Sequence, residues 1–160
     1  MIFPDVKVPF DTFYITIGDC VGDNDEIWTL SANTDSKNTP IVLIHGFAAA
    51  LGFWLQNLDH LAENHPVYAI DLLGFGKSSR PEFADDADEI ESQFCESIEK
   101  WRKTMKIEKM ILLGHSFGGF LSTSYAMKYE ENIEHLILAG EIFSSHSLIL
   151  SVTFLFRNYF

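Results

Sequence analysis

Four short runs, Ile41-Val42-Leu43-Ile44, Val67-Tyr68-Ala69-Ile70, Met110-Ile111-Leu112-Leu113 and His135-Leu136-Ile137-Leu138, leave this chain few folds to choose from. A strand with one face in water alternates apolar and polar residues, whereas nearly unbroken apolar runs belong to parallel strands buried on both faces. Between the first two runs, Gly52 to Glu63 repeats Phe53, Leu55, Leu58 and Leu61 at helical spacing, which makes a βαβ unit. Asp88 opens a stronger amphipathic helix through Ile90, Phe94, Ile98, Trp101 and Met105, its acidic start suited to the positive end of the helix dipole. Gly119 to Tyr129 reads as a third helix. Such alternation predicts a doubly wound α/β sheet. Ahead of it, Phe13 to Ile17 and Ile27 to Leu30 flank a Gly/Asp/Asn-rich stretch from Gly18 to Asp25 and predict an antiparallel pair.

The 160 residues suit one domain, and a hydrophobic fraction of 47% with no linker or repeat gives no reason to divide it. A net charge of −12 repels polyphosphate backbones, so nucleic acid is not an expected partner. Cys20 and Cys95 are too few to staple a domain, and no Asn-x-Ser/Thr site occurs, which fits an intracellular, reducing location. Met1 to Phe10 has neither the basic start nor the apolar core of a secretory signal, and no membrane span is expected before Leu148. Leu148 to Phe156 is apolar and β-prone but too short to cross a bilayer as a helix.

Chemistry concentrates at Gly114-His115-Ser116-Phe117-Gly118, a G-x-S-x-G sequence between a strand and a helix. In that context the motif is a nucleophile elbow, which lifts a serine Oγ out of a tight turn; the flanking glycines are needed because strand and helix backbones nearly touch. Acyl transfer also requires N–H donors for the oxyanion. The backbone N–H groups of Phe117, just after the serine, and of Phe47, in the loop leaving His45-Gly46, are the candidates, since both loops leave the carboxyl ends of their strands. Of the six histidines, none is placed as a general base. His146 follows Ser116 in the required chain order, with Glu141 as the only acid ahead of it, but no strand-loop pattern supports a Ser116-Glu141-His146 triad. Asp71 to Arg80 matches no phosphate-binding fingerprint, so Asp71 is expected to cap a strand end while Gly74 and Gly76 shape the loop. No spacing suggests a metal, and no cofactor is expected.

These segments together resemble the α/β-hydrolase superfamily, and within it the α/β-hydrolase domain-containing 4 and 5 subfamily. The likeness is carried by Ile27 to Leu30, Pro40 through Phe47, Tyr68 through Pro81, Gln93 through Arg102 and Met110 through Phe120. The resemblance implies a lipid-handling protein. One branch keeps the elbow serine and deacylates N-acyl phospholipids and lysophospholipids. The other has asparagine there and acts as a triacylglycerol lipase coactivator at lipid droplets, with a proposed lysophosphatidic acid acyltransferase activity. Ser116 sides with the hydrolytic branch, and a cytoplasmic location with possible contact to a lipid-droplet or membrane surface follows as an expectation. Two departures stand out: Ala48-Ala49-Ala50 replaces the usual glycines, and after Leu138 the family's continuation is not recognisable. The expectation is therefore a partial hydrolase domain over 1–138, with about six strands, the lid and last strands missing, then a divergent apolar tail over 139–160 and little activity.

Overall fold

The computed structural model describes residues 6–140 and, as backbone, 154–155. A seven-stranded sheet has the order β1-β2-β4-β3-β5-β6-β7. Its strands are β1 (Phe10–Gly18), β2 (Asp25–Ala32), β3 (Ile41–Ile44), β4 (Val67–Ile70), β5 (Met110–His115), β6 (Ile133–Ala139) and the two-residue β7 (Phe154–Leu155). β4, β3, β5 and β6 run parallel; β1 and β2 form the expected antiparallel pair, and β2 joins β4 antiparallel. β7 pairs antiparallel with β6, within the stretch expected to be a tail.

The side-chain period of a strand sorts the apolar runs into two cores. Val42, Ile44, Leu112 and Leu136 face α2 (Ala87–Thr104) and α3 (Phe117–Lys128), packing with Phe94, Ile98, Trp101, Leu121 and Tyr125. Ile41, Leu43, Val67, Ala69, Ile111 and Leu113 face the opposite way, against Leu51, Trp54 and Leu58. The inner strands β3, β4 and β5 are buried on both sides, as their lack of alternation requires, whereas β6 buries only Leu136 and Leu138 and β1 is largely exposed.

One expected helix differs. Gly52 to Glu63 forms a 3-10 helix over Leu51–Asn57 followed by a four-residue α1 (Leu58–Leu61). Tertiary contacts at both ends override the helical period: the Leu51 N–H is held by the Asp71 carboxylate, and Asp59 on α1 accepts the N–H groups of Lys7 and Val8. α2 begins one residue before the expected Asp88, where the Asp86 side chain caps it by accepting from Asp88 and Glu89 N–H groups, both at 3.1 Å. α3 starts at Phe117, directly after Ser116, instead of Gly119.

A buried ion pair within α2 is tied to α3 through a tyrosine on the α2–α3 face. Arg102 grips Glu99 with two hydrogen bonds of 2.8 Å, and Tyr125 on α3 donates to the same carboxylate at 2.5 Å. Asn132 adds a longer bond at 3.4 Å. Burial alone would raise the Glu99 carboxyl, but the bonds from Arg102, Tyr125 and Lys103 outweigh it and hold it at about 2.

Candidate active site

Ser116 stands at the turn between β5 and α3 with φ 51° and ψ −118°, a conformation costly for any residue with a side chain. The fold holds it from both sides. Its N–H donates to the Ala139 carbonyl at 3.1 Å, and its own carbonyl accepts from Gly119 at 2.8 Å and Phe120 at 3.1 Å. The two motif glycines are needed sterically. A Cβ on Gly114 would lie 2.3 Å from the Gly118 carbonyl oxygen, and one on Gly118 would lie 2.4 Å from the carbonyl oxygens of both Ile44 and His45. Helix α3 is thereby pressed backbone to backbone against the end of β3.

That contact brings the loop after β3 alongside the serine. A Cβ on Gly46 would be 3.3 Å from Ser116 Cβ, so Gly46 packs directly on the elbow. The loop turns tightly, with the Ala49 N–H donating to the Gly46 carbonyl at 3.2 Å. Ala48 adopts φ 56°, so one of the three alanines does occupy a conformation that glycine prefers. The N–H groups of Phe47 and Phe117 have no hydrogen-bond partner among the described residues.

Two buried side chains fix this loop to its neighbour. His45 donates from Nδ1 to the Gly46 carbonyl at 2.8 Å, because its Nε2 is committed as acceptor to the Leu72 N–H at 3.1 Å. Burial lowers the His45 pKa, partly opposed by the Gly46 bond and the Asp71 charge, and keeps the imidazole neutral. The Asp71 carboxylate accepts the N–H of Leu51 at 2.6 Å and that of Lys77 at 2.8 Å. Gly76, at φ 49°, lies so close that its Cβ would sit 2.0 Å from an Asp71 oxygen. Asp71 thus caps its strand and Gly76 shapes the loop, but Asp71 also reaches across to the loop after β3, which its sequence context did not suggest.

No described histidine hydrogen-bonds Ser116. His45 is fully engaged, His65 Nδ1 pairs with the Thr39 carbonyl, His60 is exposed on α1, and His135 lies 4.0 Å from Glu134 near the start of β6. His115 has its ring against Phe53, with centroids 4.5 Å apart and the planes tilted by 32°. Glu141 and His146 lie outside the described residues. Among the described residues no cluster of His, Cys, Asp and Glu could hold a metal, and no helix is long and apolar enough to cross a membrane.

The rim of the turn is aromatic. Phe47, 75% exposed, meets Phe75 and Phe117 edge-on at centroid distances of 5.7 and 6.3 Å, and Phe117 stacks on the exposed Phe120 at 6.3 Å. Composition alone gave no sign that these four rings, spread over 74 positions of sequence from 47 to 120, would meet in one cluster that includes the residue after the serine.

The sequence matches the alpha/beta hydrolase fold family over residues 39–158. Over 120 residues it is 54% identical to 1-acylglycerol-3-phosphate O-acyltransferase ABHD5 of Rattus norvegicus, covering 74% of this chain and 34% of that protein. It is 51% identical over 114 residues to the (lyso)-N-acylphosphatidylethanolamine lipase of Mus musculus, covering 71% of this chain and 33% of that one. Among solved structures, the crystal structure of a bacterial membrane phospholipase A superposes with a TM-score of 0.72 at 28% identity, covering 86% of this chain and 42% of the other. The chain spans about a third of the length of the curated relatives it matches.

Proposed function

This chain belongs to the alpha/beta hydrolase fold family, and from that membership we propose that it carries the nucleophile and oxyanion hole of a serine hydrolase of lipid esters, acting on lysophospholipids or N-acyl phospholipids. The observation that carries this reading is the strained Ser116 turn packed against Gly46, with the Phe47 and Phe117 N–H groups left without partners among the described residues. Ser116 Oγ attacks the acyl carbonyl carbon, and the two N–H groups receive the charge that develops on the carbonyl oxygen. The lipid's ester alcohol leaves, taking up the proton that Ser116 gave up, and water releases the acyl chain from the serine as a fatty acid. The rings of Phe47, Phe75, Phe117 and Phe120 offer an acyl chain an apolar bed beside the reacting carbon.

The attack needs a base to take the Ser116 proton, and no described histidine is bonded to it. Removing the base of a serine triad costs on the order of 10⁶-fold in turnover, so the 160-residue polypeptide is expected to be nearly inactive. A fluorophosphonate probe tests this: slow labelling, abolished by Ser116→Ala, supports the reading. Labelling at the rate of an intact triad would mean that a base is present and that the histidine assignments are wrong.

A second reading is favoured by the 54% identity to an acyltransferase: the same acyl-serine is then resolved by the hydroxyl of lysophosphatidic acid instead of water. Labelled acyl donor distinguishes the two, since transfer gives a diacyl product and hydrolysis gives free fatty acid. A non-catalytic role, with a lipase partner or a lipid-droplet surface, predicts that Ser116→Ala leaves the cellular effect unchanged.

A further inference from the structure

We propose that His115 is a positioning residue for the oxyanion loop, its ring acting as a spacer that sets where the Phe47 N–H stands relative to Ser116. The inference rests on the roles of Ser116 and Phe47 proposed above. At the elbow the imidazole makes no hydrogen bond to the serine and lies instead against the loop after β3. Its ring lies over Phe53 at 32° between planes, in the 3-10 helix that continues that loop. On the same side, a Cβ on Gly46 would come within 2.9 Å of His115 Nδ1, 3.3 Å of the His115 carbonyl oxygen and 3.3 Å of Ser116 Cβ. Gly46 is therefore enclosed by His115 and Ser116 together, one residue before the proposed donor. Gly140, leaving β6, closes the other edge: its Cβ would be 3.2 Å from both Cδ2 and Nε2 of the ring.

What the ring does not do is equally informative. His115 Nδ1 is buried and has no hydrogen-bond partner among the described residues. A buried nitrogen without a partner adds nothing to the loop's hydrogen bonding, so the contribution assigned to His115 is the shape and stacking of its ring. A flat apolar ring of similar width would then serve, whereas a methyl group would let Gly46 and Phe53 settle toward the elbow.

Binding of butylboronic acid to the 160-residue chain tests this without a catalytic base. Ser116 Oγ adds to boron, its proton passes to buffer, and the adduct is a tetrahedral anion seen by ¹¹B NMR and titrated for Kd. A lost oxyanion donor costs about 10²-fold or more, so a displaced one is expected to weaken binding about tenfold in His115→Ala. His115→Phe is expected to stay within about threefold of the parent, because it keeps the ring. Phe53→Ala reproduces the loss, and the double variant with His115→Ala loses no more than either alone, the signature of one shared contact. Thermal melting of each variant confirms folding, and Phe53→Ala with His115→Phe carries the test where His115→Ala is unfolded. Unchanged affinity in His115→Ala, or a folded His115→Phe as weak as the alanine variant, overturns the proposal. No tetrahedral signal in the parent overturns the assignment of Ser116 itself, a distinct result.

Discussion

The Asp71 carboxylate accepts the Leu51 N–H at 2.6 Å, tying the loop after β3 to the strand end twenty residues later in the chain. With Lys77 N–H on its other oxygen, it holds the loop after β3 and its own loop at once. Asp71→Asn turns one acceptor into a donor facing an N–H group. Hydrogen bonds to charged groups are worth about 1.5–3 kcal/mol each, so the variant is expected to lose about 2 kcal/mol or more in urea unfolding. Amide exchange at Leu51 and Lys77 is expected to speed up more than exchange in α2, and equal protection in both proteins would count against the bridge.

Gly118→Ala and Gly52→Ala separate steric need from helix preference. The first drives a Cβ to 2.4 Å from two carbonyl oxygens, while around Gly52 nothing lies within 4 Å. Overpacking of this kind costs about 1–3 kcal/mol and sometimes more, whereas alanine at an open helical site gains up to about 1 kcal/mol. Opposite shifts in urea midpoint are expected, and two shifts of the same sign would contradict the close approach.

Strain at Ser116 has its own signature. At φ 51° glycine is at ease, so Ser116→Gly is expected to raise stability by about 1 kcal/mol, while Ser116→Ala removes the hydroxyl and leaves the strain. Thermal melting of the three proteins decides it, with the glycine variant highest.

His45 gives stability a dependence on pH. Its folded pKa is lowered from 6.5, chiefly by burial, so the unfolded chain binds the proton more readily. The contribution is complete above about 6.5 and declines as pH falls from there toward the lower folded value. Urea midpoints at several pH values are expected to fall more steeply for the parent than for His45→Gln below pH 6.5.

Glu99 acts in a lower window. With a carboxyl held at about 2 against an ordinary 4.5, its contribution is complete above about 4.5 and is lost as pH falls toward 2. Glu99→Ala leaves Arg102 buried and unpaired, which costs about 3–5 kcal/mol. Tyr125→Phe removes one donor and is expected to cost less, about 1.5–3 kcal/mol. Chemical denaturation at neutral pH ranks the two, and a milder alanine variant would refute the central place of the carboxylate.

Much of this was written in local pattern. The apolar runs announced a sheet buried on both faces, and the spacing of Gly114, Ser116 and Gly118 announced a turn with no room for side chains. What stayed hidden were bonds between residues far apart. Asp71 to Leu51 and His45 to Leu72 join segments whose sequences carry no mark of each other. Glu99 was invisible for another reason: a carboxylate on an amphipathic helix reads as solvated until a tyrosine from the next helix is found donating to it. The 3-10 helix over Leu51–Asn57 escaped because it buries Leu51 and Trp54, three residues apart, and leaves Phe53 exposed, whereas the helical period expected Phe53 and Leu55 to face inward.

The bare meeting of Gly118 with the carbonyls of Ile44 and His45 also limits how this architecture can be recombined. Side chains forgive small errors of alignment by changing rotamer, and here there are none to do so. A chimera that takes β3 and its loop from one parent and α3 from another must reproduce a backbone fit that neither parent's loop sequence encodes alone. Crossovers placed before Ile41 or after Lys128 keep the three pieces together, and the elbow with its facing loop passes between proteins as one inherited block.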